Sequence, residues 1–241
     1  HYCEQASRLI EARAAFLHQE SGFFASFLVE EGLIEEARFV PMFGIFGMAE
    51  AVNLLMDKAG LPGRYGHDEG ANQLGHRISA RLSAWVTARP QPHAWGGRAL
   101  LHSQGGLSLD KGVTPGVRIP YGEEPDPASH LLALAPHHGY YHSGISEILT
   151  LDPTIRQNPQ ALLQLCKGAF ALGMREFSAN VADSDLVRVT GYMIRKSDVA
   201  RFAAAGSRLQ TTCLGAEASE LTGIRQRAPR VLGLEASLCD Y

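Results

Sequence analysis

Hydrophobic residues recur at helical spacing along much of the chain. The first set predicts an amphipathic helix over residues 3–20 that ends at Ser21-Gly22. The residues on its apolar face are Ala6, Leu9, Ile10, Ala14 and Leu17. A second set does the same over residues 72–89, before Pro90. Asn158-Pro159 supplies an N-cap and a first-turn proline for a third helix. The same criteria predict helices over 48–58, 198–205 and 215–224.

Short apolar runs between these helices predict buried strands at 38–44, 99–102 and 176–181. Residues 105–127 are rich in glycine and proline and are predicted to form an ordered loop with little regular structure. Phe23, Phe24 and Phe27 begin a short apolar helix or turn, and such an aromatic cluster is predicted to lie in the core.

Composition excludes several classes of partner. A net charge of −3 and a pI near 6.4 give no electrostatic basis for binding nucleic acid or an anionic membrane. The longest uncharged apolar stretch, 39–49, contains Pro41 and is too short to span a bilayer. No signal-peptide pattern is visible, so a cytoplasmic location is expected. The four cysteines form no C-x-x-C pair, which argues against a zinc ribbon or a cysteine-ligated iron–sulfur cluster.

Two groups of polar residues are candidates for a substrate pocket. Glu50 and Asn53 lie one turn apart at the start of the predicted 48–58 helix, where they either reach a pocket or cap and solvate the first turn. The second group follows Pro136 and consists of His137, His138, Tyr140, Tyr141 and His142. It is interpreted as a polar pocket wall, as structural histidines, or as a metal site. Gly139 breaks the helix that would align His138 with His142, so no metal ligand is predicted, and no cofactor-binding residue is predicted either.

Residues 186–195 combine β-branched and aromatic side chains on both sides of one glycine, Gly191. Both flanks favour extended backbone. A glycine inside such a pattern marks a bulge, a tight bend or a close backbone approach.

Arg188, Val189, Thr190, Gly191 and Tyr192 together resemble the C-terminal signature of glycyl radical enzymes. The resemblance extends over essentially the whole chain and is to the YjjI-type branch, which is related to pyruvate formate-lyase and the anaerobic ribonucleotide reductases. The other segments that carry it are 1–3, 38–44, 50–53, 121–127, 135–138, 158–162 and 173–177.

The resemblance implies an α/β fold, the C-terminal half of a barrel with the glycine loop inside it. Residues 1–185 would form the barrel part, and 186–241 the radical loop and C-terminal helices. Gly191 would store the radical and Arg188, Val189, Thr190 and Tyr192 would surround it. The family's catalytic cysteine lies on a loop upstream of the region that resembles His1-Tyr2-Cys3, so the chain is interpreted as a fragment or a processed form.

The resemblance also implies partners and a reaction. A separate radical-SAM activating enzyme, using S-adenosylmethionine and an iron–sulfur cluster, would take hydrogen from Gly191, and no cofactor would be bound permanently. The cysteine on the missing N-terminal part would then take hydrogen from a small polar organic substrate in an oxygen-sensitive, anaerobic reaction. The resemblance leaves a homo-oligomer open. The alternative is a non-catalytic, radical-bearing module that complements a cysteine-bearing partner chain.

Overall fold

A computed structural model describes residues 1–103, 113–120, 122–142, 144–189 and 192–205. The chain divides into two compact units, His1–Ala182 and Asp183–Tyr241, and each is described by itself. The helix predicted over 215–224 lies outside the described residues.

Most helices occur close to the predicted positions, but the helix at Pro127–Leu134 was not predicted. In the first unit they are α1 (Tyr2–Gln19), α2 (Phe27–Glu30), α3 (Met48–Lys58), α4 (Glu69–Thr87), α5 (Pro127–Leu134) and α6 (Pro159–Ala171). Single 3₁₀ turns lie at Glu36–Arg38, Trp95–Gly97, Ala135–Gly139 and Pro153–Gln157. The second unit contains α7 (Lys196–Ala205).

Side-chain caps decide where three of these helices begin. Asn158 accepts a hydrogen bond from the backbone N–H of Ala161, which confirms the predicted start of α6. Asp126 caps α5 in the same way. Asp68 accepts from the N–H of Ala71, so α4 begins at Glu69, a turn earlier than the apolar pattern alone indicates.

The strands of the described residues pair two by two. In the first unit β1 (Met42–Ile45) pairs in parallel with β2 (Leu100–Ser103), and β3 (Ile148–Leu151) pairs in parallel with β4 (Ser178–Val181). In the second unit β5 (Leu186–Val189) and β6 (Tyr192–Arg195) are antiparallel. Helices and strands are thus mixed, as in an α/β protein, but no closed barrel is seen among these strands.

Two apolar clusters hold the first unit together. The larger one joins α3, α4 and the β1–β2 pair, and its buried members include Val52, Ala71 and Leu101. The smaller one joins α5, β3 and α6 around Leu149 and Ala169. Helices therefore cover at least one face of each parallel strand pair.

Two predictions about the amino-terminal region were wrong. The strand predicted over 38–44 starts at Met42, because Glu36–Arg38 forms a 3₁₀ turn and Pro41 has no N–H for a strand ladder. The aromatic cluster is not a buried core: Phe23 is 53% exposed and Phe27 67% exposed. Among the described residues, no helix combines the length and the apolar character that crossing a membrane requires.

Candidate functional site

The segment that carries Gly191 is a pair of extended strands, as its sequence predicts. Val187 pairs with Ile194, Arg188 with Met193 and Val189 with Tyr192. Val187 is buried, whereas Arg188 is exposed. Thr190 and Gly191, the two residues between the last pair, lie outside the described residues, and so does the side chain of Tyr192.

Asp185 ties the entry of β5 to the start of α7. Its carboxylate accepts hydrogen bonds from the backbone N–H and the hydroxyl of Ser197, each at 2.8 Å, and its carbonyl accepts from the N–H of Lys196. The hydrogen bonds from Ser197 lower the pKa of Asp185. The strands and the helix of the second unit therefore share one anchor at the Leu186–Arg195 end of the strand pair, opposite to the Val189–Tyr192 end.

In the first unit, His137 is the centre of a buried hydrogen-bond network. Its Nε2 lies 3.1 Å from the Tyr65 hydroxyl and its Nδ1 lies 2.8 Å from the Ser79 hydroxyl. Tyr65 also contacts the carbonyl of Val117 at 2.6 Å, and Ser79 contacts the Tyr141 hydroxyl at 3.0 Å. The side chains of Tyr65, Ser79, His137 and Tyr141 are all buried.

The hydrogen-bond partners determine which atom donates the proton in each hydrogen bond of this network. Tyr65 must donate its single proton to Val117, because a carbonyl can only accept. His137 therefore donates from Nε2 to Tyr65 and accepts at Nδ1 from Ser79, which in turn accepts from Tyr141. Burial, with smaller contributions from His76 and His138, lowers the pKa of His137 to about 3, which agrees with a neutral ring.

The two tyrosines of this hydrogen-bonded network, Tyr65 and Tyr141, are also neutral. Burial raises the pKa of Tyr141 to about 12, against a smaller opposing effect of the Ser79 hydrogen bond. Burial also raises the pKa of Tyr65 well above its ordinary value. Both nitrogens of His137 and the Tyr141 hydroxyl thus have protein partners, whereas Tyr140 is only partly buried and packs against the larger apolar cluster.

His138 differs from His137 because one of its nitrogens has no partner. Nδ1 accepts a hydrogen bond from the backbone N–H of Arg175 at 3.2 Å, so Nε2 carries the proton of the neutral ring. That Nε2 is buried and has no hydrogen-bond partner among the described residues. Burial first, then the charge of Arg175, lowers the pKa of His138 to about 4, and Glu147 opposes this shift.

A buried charged cluster that the sequence analysis missed lies near His138. Glu147 is 1% exposed, and its Oε1 lies 3.4 Å from His130 Nε2 and 3.6 Å from Arg118 Nε. Within the part of the chain that the structure describes, the second carboxylate oxygen of Glu147 and two nitrogens of Arg118 are buried and have no hydrogen-bond partner. Only weak signals exist in the sequence: Arg118 lies in the glycine- and proline-rich loop, and Glu147 directly precedes an apolar strand.

Glu50 and Asn53 bind the backbone of other segments instead of capping their own helix. Glu50 Oε1 accepts from the backbone N–H of Thr114 at 2.8 Å and also from its hydroxyl. Glu50 Oε2 is buried and has no partner in the described ranges. Asn53 Oδ1 accepts from the N–H of Tyr65 at 2.9 Å. Both side chains thus support loops that lie next to the His137 network.

The described residues contain no group of three His, Cys, Asp or Glu side chains that could hold a metal ion. The structure gives the predicted histidines different environments: His137 and His138 are buried and His142 is exposed. What it brings together is a network of neutral hydroxyls and imidazoles beside the Arg118–Glu147 pair. This arrangement can donate and accept hydrogen bonds but holds no charged nucleophile with a matched base.

Comparison with known proteins identifies the family. The family model described as "Glycyl radical enzyme YjjI-like" matches residues 1–230. The chain belongs to the YjjI-like glycyl radical enzyme family. It is 58% identical over 239 residues to "Uncharacterized protein YjjI" of Escherichia coli K12, covering 99% of this chain and 46% of that protein. It is 35% identical over 228 residues to an uncharacterized protein of Haemophilus influenzae Rd, covering 92% of this chain and 44% of that protein. The chain therefore spans less than half the length of these YjjI-like relatives.

Proposed function

We propose that this chain is the radical-storing part of an oxygen-sensitive glycyl radical enzyme, and that Gly191 holds the radical. A radical-SAM activating enzyme uses one electron from a reductant to cleave S-adenosylmethionine, and the carbon radical so formed takes one hydrogen atom from the Gly191 α-carbon, which leaves an unpaired electron there. The glycyl radical then takes the hydrogen atom of a cysteine S–H outside this chain. The resulting sulfur radical takes a hydrogen atom from a C–H bond of a small polar organic substrate.

Membership of the YjjI-like family is the observation that carries this proposal. The local structure agrees with it in one respect: Arg188–Tyr192 is held by paired strands on both sides of the glycine. Glycine suits the chemistry because, without a Cβ, its α-carbon can flatten between two peptide groups that share the spin. Exclusion of water and oxygen from the radical is part of the proposal.

We further propose that the two parallel strand pairs belong to a larger barrel. An isolated two-stranded parallel sheet is uncommon, because parallel strands occur almost entirely within sheets covered on both faces. The additional polypeptide of the relatives has the length to supply further strands. The cysteine loop would come from the same additional polypeptide.

Among the predicted pocket residues, His138 is the best placed to contact a substrate. Its Nε2–H is buried and has no partner in the structure, whereas His137 and Tyr141 are committed to each other through Ser79. A buried donor without a partner is costly, by about 1–3 kcal/mol, unless water or a ligand accepts from it. Glu50 and Asn53 would then support the loops of the pocket and would not contact the substrate themselves.

Electron paramagnetic resonance after anaerobic activation tests the proposal. The protein is incubated with a cognate radical-SAM activating enzyme, S-adenosylmethionine and a reductant, and we expect a doublet signal from the coupling of the unpaired electron to the remaining α-hydrogen. Gly191→Ala should abolish it. Gly168→Ala is the matched control, because a Cβ at Gly168 meets no atom within 4 Å.

A signal that survives Gly191→Ala would assign the radical to another residue and refute the proposal. Absence of any signal from the complete protein after treatment with its cognate activating enzyme would refute it as well. Nothing in the described residues favours the alternative, a non-catalytic module. Substrate turnover by the activated complete protein would exclude that alternative.

A further inference from the structure

Arg175 makes three hydrogen bonds to the segment that carries His138. Its backbone N–H donates to His138 Nδ1 at 3.2 Å. Its guanidinium Nη1 donates to the carbonyl oxygen of Tyr141 at 3.1 Å and to that of His142 at 3.0 Å. One residue therefore fixes both the imidazole ring of His138 and the backbone that follows it.

The end of α6 determines where Arg175 lies. Gly173 has a φ of +97°, which residues with a Cβ rarely adopt, and its N–H donates to the carbonyl of Phe170. The N–H of Met174 donates to the carbonyl of Ala169, so α6 ends in a Schellman motif. Met174 is buried in the smaller apolar cluster. The backbone that continues into Arg175 is therefore anchored to the core.

The Nδ1 side of the His138 ring is closed by backbone. Nδ1 accepts from the N–H of Arg175, and a Cβ at Gly144 would lie only 3.1 Å from the same nitrogen. Nδ1 is therefore an acceptor, and Nε2 carries the proton of the neutral ring. The Nε2–H is buried and has no hydrogen-bond partner in the ranges that the structure describes.

The surroundings of His138 favour the neutral ring at pH 7. Burial is the largest cause of its lowered pKa, the positive charge of Arg175 is the second, and the negative charge of Glu147 opposes both. A neutral ring whose Nδ1 is occupied can only donate, from Nε2. An oxygen of a carboxylate, carbonyl or hydroxyl group can accept that proton in a hydrogen bond, whereas an ammonium group cannot.

We propose that Arg175 is the positioning residue of this site: it holds His138 as an Nε2–H donor, so the substrate group that contacts His138 is an acceptor oxygen. The inference rests on the proposed function, in which His138 contacts the substrate, and it names the chemical class of the group at that contact. Arg175 acts through His138. The two residues lie in segments that carry the family resemblance, 173–177 and 135–138.

Nuclear magnetic resonance of the complete protein with isotope-labelled histidine, without radical activation, tests the proposal. The ring signals of His138 are those that disappear in His138→Gln. We expect a proton on Nε2 and none on Nδ1. In Arg175→Gln, which removes the guanidinium charge and its two carbonyl contacts, the tautomer with the proton on Nδ1 should become detectable. The pH midpoint of the His138 ring should also rise toward its ordinary value, because a nearby positive charge is lost.

Arg175→Lys and Arg77→Gln are the controls for this measurement. The lysine keeps the positive charge, so the pH midpoint of His138 should stay close to that of the unchanged protein. Arg77→Gln removes one positive charge from an exposed position on α4. It should change neither the tautomer nor the pH midpoint of His138.

Two probes of similar size test the class of the substrate group. Acetate offers acceptor oxygens, whereas the ammonium group of ethylammonium only donates. Acetate should shift the Nε2–H resonance of His138 in the unchanged protein and in Arg77→Gln. The shift should be clearly smaller in Arg175→Gln, where the ring is no longer held. Ethylammonium should leave this resonance unchanged.

Three outcomes would overturn the inference. One is a proton on Nδ1 of His138 in the unchanged protein. Another is the same tautomer and pH midpoint in Arg175→Gln as in the unchanged protein. The third is a response of the Nε2–H resonance to ethylammonium, or to neither probe. These measurements need no radical, so a missing doublet together with the expected tautomer and acetate response would refute the assignment of the radical to Gly191 and not the role of Arg175.

Discussion

Lowering the pH from 7 to 5 should destabilise the first unit, because His137 and His138 are buried as neutral imidazoles. His137 is 0% exposed and His138 1% exposed. Burial is the main cause that lowers their pKa values from 6.5 to about 3 and about 4. In the unfolded chain both rings take up a proton as the pH falls through about 6.5, whereas in the folded unit they do so only near their lowered pKa values.

The sign and size of the effect follow from this difference. The contribution to stability is fully present above about pH 6.5 and is lost as the pH falls, because the unfolded state then binds more protons. Each pH unit below 6.5 costs about 1.4 kcal/mol for each histidine. Between pH 6.5 and pH 5 the loss is therefore about 3 kcal/mol for both rings together, because each ring is already half protonated in the unfolded chain at pH 6.5.

Urea unfolding followed by circular dichroism at pH 7, 6, 5.5 and 5 measures this loss. His138→Gln removes one titrating ring while its amide oxygen can still accept from the N–H of Arg175, so the pH dependence should fall by about 1.4 kcal/mol per pH unit. His142→Gln replaces an exposed histidine and is the control for the substitution itself, so its circular dichroism at pH 7 should equal that of the unchanged chain. An identical slope in the unchanged chain and in His138→Gln would refute the reasoning.

Two further pairs of substitutions, each a test and a control, probe the packing around the same network. Gly75→Ala would place a Cβ 2.7 Å from the Tyr65 ring, which hydrogen bonds hold in place, so we expect a loss of about 1–3 kcal/mol; Gly168→Ala in α6 meets no atom and should instead stabilise by up to about 1 kcal/mol. In thermal unfolding, Gly75→Ala should lower the midpoint temperature and Gly168→Ala should raise it. Shifts of the midpoint in the same direction would contradict the prediction. Glu147→Gln would leave the buried charge of Arg118 uncompensated and should lower the free energy of unfolding by about 3–5 kcal/mol. Glu11→Gln, an exposed change on α1, should lower it by less than about 0.5 kcal/mol. Similar urea midpoints for these two variants would show that the Arg118–Glu147 pair is not a net stabilising contact.

Local signals in the sequence predicted the helices well because caps, prolines and apolar spacing act within a few residues. Asn158-Pro159 and the 48–58 segment illustrate this, since α6 and α3 begin where those signals lie. The strand predicted over 38–44 began late because a 3₁₀ turn and Pro41 intervene. Phe23 and Phe27 were assigned to a core on their apolar character alone, and that character does not say which surface covers them.

The polar network could not be predicted because its contacts join residues that are far apart in sequence. Tyr65 and His137 are separated by 72 positions and Ser79 and His137 by 58. The histidines were recognised as a dense polar cluster, but their partners depend on how α4 packs against the turn at Ala135–Gly139. Glu147 and Arg118 carried no periodic signal at all, and only the fold shows that they are buried together.

The assignment of Gly191 needs a test that separates a radical site from an ordinary turn. Val189 pairs with Tyr192, so two residues connect the paired strands, and such short connections commonly carry glycine because they require positive φ. Asparagine also adopts that conformation, but its α-carbon bears a Cβ. Gly191→Asn should therefore preserve the second unit if a turn were the only requirement. Loss of the radical signal in both Gly191→Ala and Gly191→Asn, with the helix content of α7 unchanged, would show that the glycine is required for the radical chemistry. A full radical signal from Gly191→Asn would show that the glycine is required only for the turn.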